Sequence, residues 1–191
     1  MIRVHFILLL IFLLSCTSEK RTLTDVDGNE YSVKLFEGKL WMTENLRVTK
    51  TSEGEKISFY YPNSDTAYAQ IYGLLYNYAT ACTVCPSGWR LPTNEEWDKL
   101  FALASDNNAG NFKDQNYWDE VNENSSTFSA RPAGSGNVEG HDNFFGYKSY
   151  FLSKTLDDEF AWTYILEKGE SLTRKASQHT TYGFSVRCVK D

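Results

Sequence analysis

Three groups of side chains in this sequence have types and spacings that suggest chemistry. The first is Cys82-Thr83-Val84-Cys85, with Cys188 far downstream. A redox pair of this spacing sits at a helix start after a strand, where the helix terminus lowers the thiol pKa. Here Pro86-Ser87-Gly88 follows at once, so no helix begins there. A local structural disulfide, Cys82–Cys85, is the favoured reading. A Cys85–Cys188 staple across the fold comes second, and redox or metal chemistry comes behind both. Cys188 lies in an apolar closing strand, where a free cysteine also reads as a small buried hydrophobe.

The second group is Asp25-Val26-Asp27-Gly28-Asn29-Glu30. A calcium loop of the EF-hand type places oxygen ligands at positions one, three and five and glycine at six. Here the glycine falls at position four, and a tight turn between strands explains Asp-Gly without a metal. The turn is favoured, and calcium is kept as the one possible cofactor. The third group is Glu139, His141 and Asp142. One histidine in a polar loop is a weak metal signal, and His179 stands apart from it. Gly134-Ser135-Gly136 does not match the nucleophile elbow of hydrolases. No catalytic set and no metal site are nominated.

Aromatic side chains form a further class. Trp118, Tyr147, Tyr150, Trp162 and Tyr164 are able to stack on a sugar. Trp162 and Tyr164 alternate with Ala161 and Thr163, which reads as strand packing. Trp118 lies in a polar loop and is the best candidate for an exposed ligand surface.

These residues need an address and a scaffold. The chain opens MIRVHFILLLIFLLSC. Arg3 supplies a positive flank, and an apolar run from Val4 to Leu14 is broken only by His5. That length suits a secretory leader of ~7–15 apolar residues and falls short of the ~20 needed to span a membrane. Leu13-Leu14-Ser15-Cys16 resembles the bacterial lipobox. Residues 1–15 are therefore expected to be a signal peptide, Cys16 the lipidated residue, 16–21 a tether and 22–191 one secreted domain. Acyl chains hold a protein to a bilayer without spanning it, so the expected place is the cell envelope, lipid-anchored in the outer membrane with its face undetermined.

The formal net charge of −6 becomes one unit more negative once Arg3 is removed. An acidic surface disfavours nucleic acid and anionic lipid as partners. Twelve tyrosines and twelve phenylalanines indicate a strand-rich domain with an aromatic core.

Alternation over Glu30 to Phe36, with Tyr31, Val33 and Leu35 on one face, predicts a strand. Glu37-Gly38 turns the chain into a return strand at Lys39 to Met42. Residues 50–70 read as a loop, and Tyr72 to Thr80 as helix or strand. Trp89-Arg90-Leu91-Pro92 is extended, since the residue before proline avoids the helical region. Thr93 then caps a helix, with Glu96 completing a capping box and Trp97, Leu100, Phe101 and Ala104 forming its apolar stripe. The helix should stop near Ser105 to Asn107. Trp89, Pro92, Thr93, Glu96 and Trp97 are expected to be structural rather than catalytic. Residues 107–146 read as long loop. Strands are expected at Tyr147 to Ser153, Phe160 to Leu166, Ser171 to Ala176 and Gly183 to Lys190.

Three stretches together resemble a known family: TDVDGNEYSVKLFEGKLWMTENLRVTK at 24–50, YGLLYNYATACTVCPSGWRLPTNEEWDKL at 72–100 and YGFSVRCVKD at 182–191. They are similar in order and spacing to the Fibrobacter succinogenes major paralogous domain, found in secreted proteins and lipoproteins of Bacteroidetes and Fibrobacteres. The middle stretch within 127–166 follows more loosely. The family usually has a pair of tryptophans near Tyr150-Phe151, and here the pair is Phe-Leu. The family is in turn distantly similar to the C-type-lectin-like superfamily, which includes formylglycine-generating enzymes, through RLPTNEEW at 90–97 and the GFSVRC closing strand. The resemblance implies an irregular α+β, C-type-lectin-like fold: a twisted antiparallel sheet, one or two helices and long loops. Those enzymes hold copper with a cysteine pair near the C-terminus. Residues 165–188 contain only Cys188, so that site is not carried over.

The expected function is a non-catalytic binding or interaction module of the envelope, with an unknown glycan or protein ligand. The alternatives are an enzyme related to the formylglycine-generating class and a purely structural envelope protein. Asp65-Thr66-Ala67 also resembles the short motif at which Bacteroidetes O-glycosylate exported proteins, which makes Thr66 a modification candidate.

Overall fold

A computed structural model describes residues 21–104, 108–119, 126–137 and 144–191. The leader, Cys16, nearly all of the tether, the expected helix stop at 105–107 and the Glu139, His141 and Asp142 trio lie outside the described residues.

The domain is mixed α+β and mostly sheet. Its first sheet has the order β1-β2-β3-β9, formed by Thr22–Thr24, Glu30–Phe36, Lys39–Met42 and Val189–Lys190. The second has the order β4-β8-β5-β6-β7, formed by Leu75–Tyr76, Phe184–Ser185, Lys148–Asp157, Phe160–Glu167 and Arg174–His179. All pairings are antiparallel except β5 with β8. The described residues also form three short α-helices, α1 Ala69–Tyr72, α2 Tyr78–Ala81 and α3 Asn94–Phe101, and a 3-10 turn at Ala109–Phe112.

Two apolar cores form, and the central strands feed both. Tyr150, Leu152, Ala161 and Ile165 enter one core, while Phe151, Tyr164 and Leu166 enter the other. This is why Tyr150-Phe151-Leu152 in β5 and Tyr164-Ile165-Leu166 in β6 are unbroken apolar stretches: side chains alternate between faces, and both faces are covered there. Strand β3 divides in the same way, with Met42 in the first core and Trp41 in the second. Strand β2 does likewise, and this corrects the expected single face. Tyr31 is buried in the first core and Phe36 in the second, while Leu35 is 54% exposed. Phe36 packs edge-on against Phe128, so the end of the strand serves the second core.

The hairpin between β2 and β3 turns at Glu37 and Gly38, both with positive φ. The closing segment is two short strands rather than one. Phe184–Ser185 joins the second sheet and Val189–Lys190 the first, so residues 186–188 cross between them. Strand β7 begins later than expected, at Arg174. Helix α3 ends earlier, at Phe101, where the Ala102 amide bonds back to Asp98 and Leu100. Residues 50–70 contain two single-turn 3-10 segments, Pro62–Ser64 and Thr66–Tyr68.

Two expected features are overturned. The disulfide is not the favoured Cys82–Cys85 but the second expected pairing, Cys85–Cys188, with Cα atoms 5.9 Å apart, and Cys82 is an exposed free thiol. The reason is non-local: antiparallel bonds between Arg90 and Val189, at 3.1 and 2.9 Å, bring the 85–90 segment against the chain end. Trp118 is fully buried in the second core and not a surface residue. Its indole N–H donates to the Ala130 carbonyl at 2.7 Å, and the Lys113 ammonium lies 4.9 Å from its ring centroid. The polar loop wraps the indole instead of presenting it.

Candidate functional site

An aromatic surface gathers on the loops. Tyr68 and Tyr72 lie four residues apart on consecutive helical turns, so their rings meet edge-on at 5.8 Å. Phe145 stands 4.5 Å from Tyr68 and 4.8 Å from Tyr72, and Tyr117 stands 5.7 Å from Tyr72. All four rings are partly exposed, and Ile71 beside them is 40% exposed.

Arg131 holds the parts together. Its guanidinium lies 4.5 Å from the Tyr117 ring centroid, its Nε donates to Asp114 at 3.1 Å, and its Nη1 donates to the Ile71 carbonyl at 2.6 Å. The Tyr117 amide closes a turn onto the Asp114 carbonyl, and the Gly146 amide bonds to Pro132 next to Arg131. One cation thus ties the 114–117 turn to α1, while the neighbouring backbone fixes Phe145. Burial, then the neighbouring Tyr117 and Tyr68, push the Tyr72 phenol up from its ordinary value. It stays a neutral donor and acceptor at physiological pH. Such a surface can stack a flat or one-faced ligand and hydrogen-bond its edge. Thr66 is exposed two residues before Tyr68, in a turn whose cap is the Asp65 carboxylate accepting from the Ala67 amide at 2.9 Å.

The other candidates are structural. Asp25 accepts from the Asp27 and Asn29 amides, the Asn29 side chain and the Tyr31 hydroxyl at 2.6–2.9 Å. Asp27 accepts from the Thr49 amide and hydroxyl and pairs with Lys50 at 3.1 Å. The oxygens a calcium ion would use therefore meet protein donors. A cavity of about 270 Å³ opens beside this turn, with Asp25, Lys50, Ser52, Val84 and Cys85 among its walls. Among the described residues, no group of three or more His, Cys, Asp or Glu side chains is placed to hold a metal. No described helix is long and apolar enough to cross a membrane.

Of the other aromatics proposed for sugar stacking, Tyr150 and Tyr164 are buried. Trp162 is partly buried beneath Lys175, and Tyr147 is 45% exposed. None of the five joins the ring cluster described above. Tyr68 and Tyr72 had a faint signal in their four-residue spacing. Tyr117 and Phe145 had none, because they arrive from separate loops.

The strongest network lies at α3. Thr93 accepts from the Glu96 amide, and the Glu96 carboxylate accepts from the Thr93 amide at 2.8 Å. Arg90 grips the same carboxylate with two nitrogens at 2.8 and 2.7 Å, and Lys39 adds a second cation at 3.3 Å. Trp89 is partly buried against the first core, and Pro92 is buried. Arg187 is a buried charge that the sequence did not signal. It is fully enclosed, with Nε donating to Asn45 at 2.8 Å and the two Nη atoms donating to the carbonyls of Phe128 and Ser129. Its guanidinium lies 4.2 Å from the Phe128 ring centroid. Burial lowers its pKa to about 9, yet it stays charged at neutral pH. It pins the 128–129 loop to the closing segment.

The family model of the Fibrobacter succinogenes major domain matches residues 36–190. The chain belongs to the Fibrobacter succinogenes major domain family. No curated relative and no solved structure matches it.

In this Fibrobacter succinogenes major domain, the α3 network gives a pH prediction. Burial alone raises the Glu96 pKa, but the bonds from Arg90, Thr93 and Lys39 outweigh it and hold it at about 2. The unfolded value is near 4.5. The folded value is the lower one, so the stabilisation is complete above pH ~4.5 and is lost as pH falls towards ~2. Glu96→Gln should cost on the order of 2 kcal/mol at pH 6, discounted for the side chain's partial exposure. Urea midpoints of both proteins should converge by pH 2. A gap that is constant from pH 6 to pH 2 would contradict this role.

Proposed function

We propose that the protein is a membrane-anchored extracytoplasmic lipoprotein whose domain is a non-catalytic binding module. The observation that carries the binding role is the loop-borne ring cluster of Tyr68, Tyr72, Tyr117 and Phe145, organised by Arg131. Clustered tyrosines on loops held by a sheet scaffold suit recognition, because they supply large contact area at low entropic cost and carry polar tips. The ligand class proposed is a glycan, whose ring faces stack on aromatics while its hydroxyls meet the phenols and the neighbouring Asn116 and Gln115. The fold is proposed to be a C-type-lectin-like variant, a reading supported by curled antiparallel sheets with few helices and long connections.

A glycan array probed with the full chain tests the binding role. A binding glycan should be found, and Tyr72→Ala should raise its Kd about tenfold or more, the scale of a central aromatic contact. No binder, or a Tyr72→Ala protein of unchanged affinity, would count against the reading.

The anchor rests on the leader pattern and Cys16. Acyl chains supply nearly all the attachment in such proteins. Cys16→Ala should therefore move the protein from the membrane fraction to the soluble one. A variant that still pellets with membranes after a high-salt wash would end the lipoprotein reading.

A further inference from the structure

Three cysteines sit where two compete for the third. Cys82 is an exposed free thiol just after α2, and its amide bonds back to Tyr78. Cys85, three residues on, is only partly buried and lines the solvent-open cavity beside the Asp25 turn. Cys188 is fully buried and comes from a segment 103 residues further along the chain. The reachable sulfur of the disulfide is therefore that of Cys85, and the nearest thiol in sequence is Cys82.

We propose that Cys82 is an internal exchange partner of the disulfide: Cys82–Cys85 forms first in the unfolded chain, and folding transfers Cys85 to Cys188. Loop closure favours the local pair before folding. The entropic cost grows with the logarithm of loop length, so a three-residue closure outcompetes a 103-residue one by on the order of a hundredfold. Folding reverses the preference. The β3–β9 pairing sets Trp41 opposite Val189, the Met42 amide bonds to the Cys188 carbonyl, and Arg90 and Val189 exchange two backbone bonds. Cys188 is then held beside Cys85 at a Cα separation of 5.9 Å, inside the range that a disulfide needs.

The exchange is balanced and requires no oxidant. Cys188 loses its proton to water, and its thiolate attacks the Cys85 sulfur. The Cys82–Cys85 bond breaks, and its electron pair leaves on the Cys82 sulfur, which takes a proton from water. The single oxidation comes earlier: a small disulfide such as oxidised glutathione makes Cys82–Cys85 and leaves as two thiols. The product is the arrangement observed, with a buried staple and one thiol left at the surface.

The test maps disulfides in the full chain carrying Cys16→Ser, which removes the fourth cysteine. The oxidised protein is equilibrated in strong denaturant with a trace of small thiol, quenched in acid, alkylated and digested without reduction. Mass spectrometry should find Cys82–Cys85 dominating there. After the denaturant is removed, Cys85–Cys188 should replace it with no added oxidant, and blocking free thiols with maleimide first should stop the change. Cys82→Ser, oxidised from the reduced state, should reach Cys85–Cys188 more slowly and end with an unchanged thermal midpoint. A long-range pair dominating in denaturant, or equal rates with and without Cys82, would overturn the proposal.

Discussion

Trp97→Ala should destabilise the domain by about 3–5 kcal/mol, the usual cost of truncating a large buried aromatic. The expected size follows from what the indole touches. Trp41, Phe101, Phe151 and Tyr164 have ring centroids 5.0–5.6 Å away, and the indole N–H donates to the Leu152 carbonyl at 3.2 Å. These partners come from β3, α3, β5 and β6, so a single side chain joins the helix to both sheets. Alanine would leave a cavity among rigid rings that have little freedom to collapse. The loss is a large part of a typical domain stability of ~5–15 kcal/mol. The melting temperature should drop by roughly 6–20 °C in a domain of this size. Thr93→Ala should cost only about 1 kcal/mol, since it removes one cap bond. A Trp97→Ala protein that melts with wild type would mean the residue is not at the centre of the core.

The second large effect belongs to the disulfide. Breaking Cys85–Cys188 frees the unfolded chain from a closure spanning 103 residues. The entropic account puts this at about 4.7 kcal/mol, within an observed range of ~2–5 kcal/mol for native disulfides. Cys85→Ser in a Cys82→Ser background should therefore lower the urea midpoint sharply, and reductant should do the same to wild type. Cys82→Ser alone should leave the midpoint in place, because the thiol is exposed and unbridged. A midpoint that is indifferent to reductant would show that the strand pairing of β9 holds the chain end unaided.

What the sequence made legible was local. The capping box at Thr93 and Glu96, the extended residues before Pro92 and the turn at Glu37-Gly38 depend on neighbours a few residues away, and each is where the pattern placed it. What it hid was set by distant segments. Trp118 sits among Asp, Asn and Gln, which suggests exposure, but Ala130 and Lys113 close over it. Spacing alone favours Cys82–Cys85, but a bridge between Arg90 and Val189 decides otherwise. Leu35 follows the alternation of its strand and still faces solvent, since the second core takes Phe36. Tyr68 and Tyr72 share one short helical stretch, but Tyr117 and Phe145 come from two distant loops, so no window of sequence contains the ring cluster.

Under the proposed binding role, a glycan meets the loop aromatics while α3 serves the core. Amide hydrogen exchange with and without a bound glycan separates these two roles. Exchange should slow at residues 68–72, 114–117, 131 and 145–146, and stay unchanged along 94–101. Slowing confined to 94–101, with the four other segments unaffected, would place the ligand on α3 and overturn the binding role of the ring cluster.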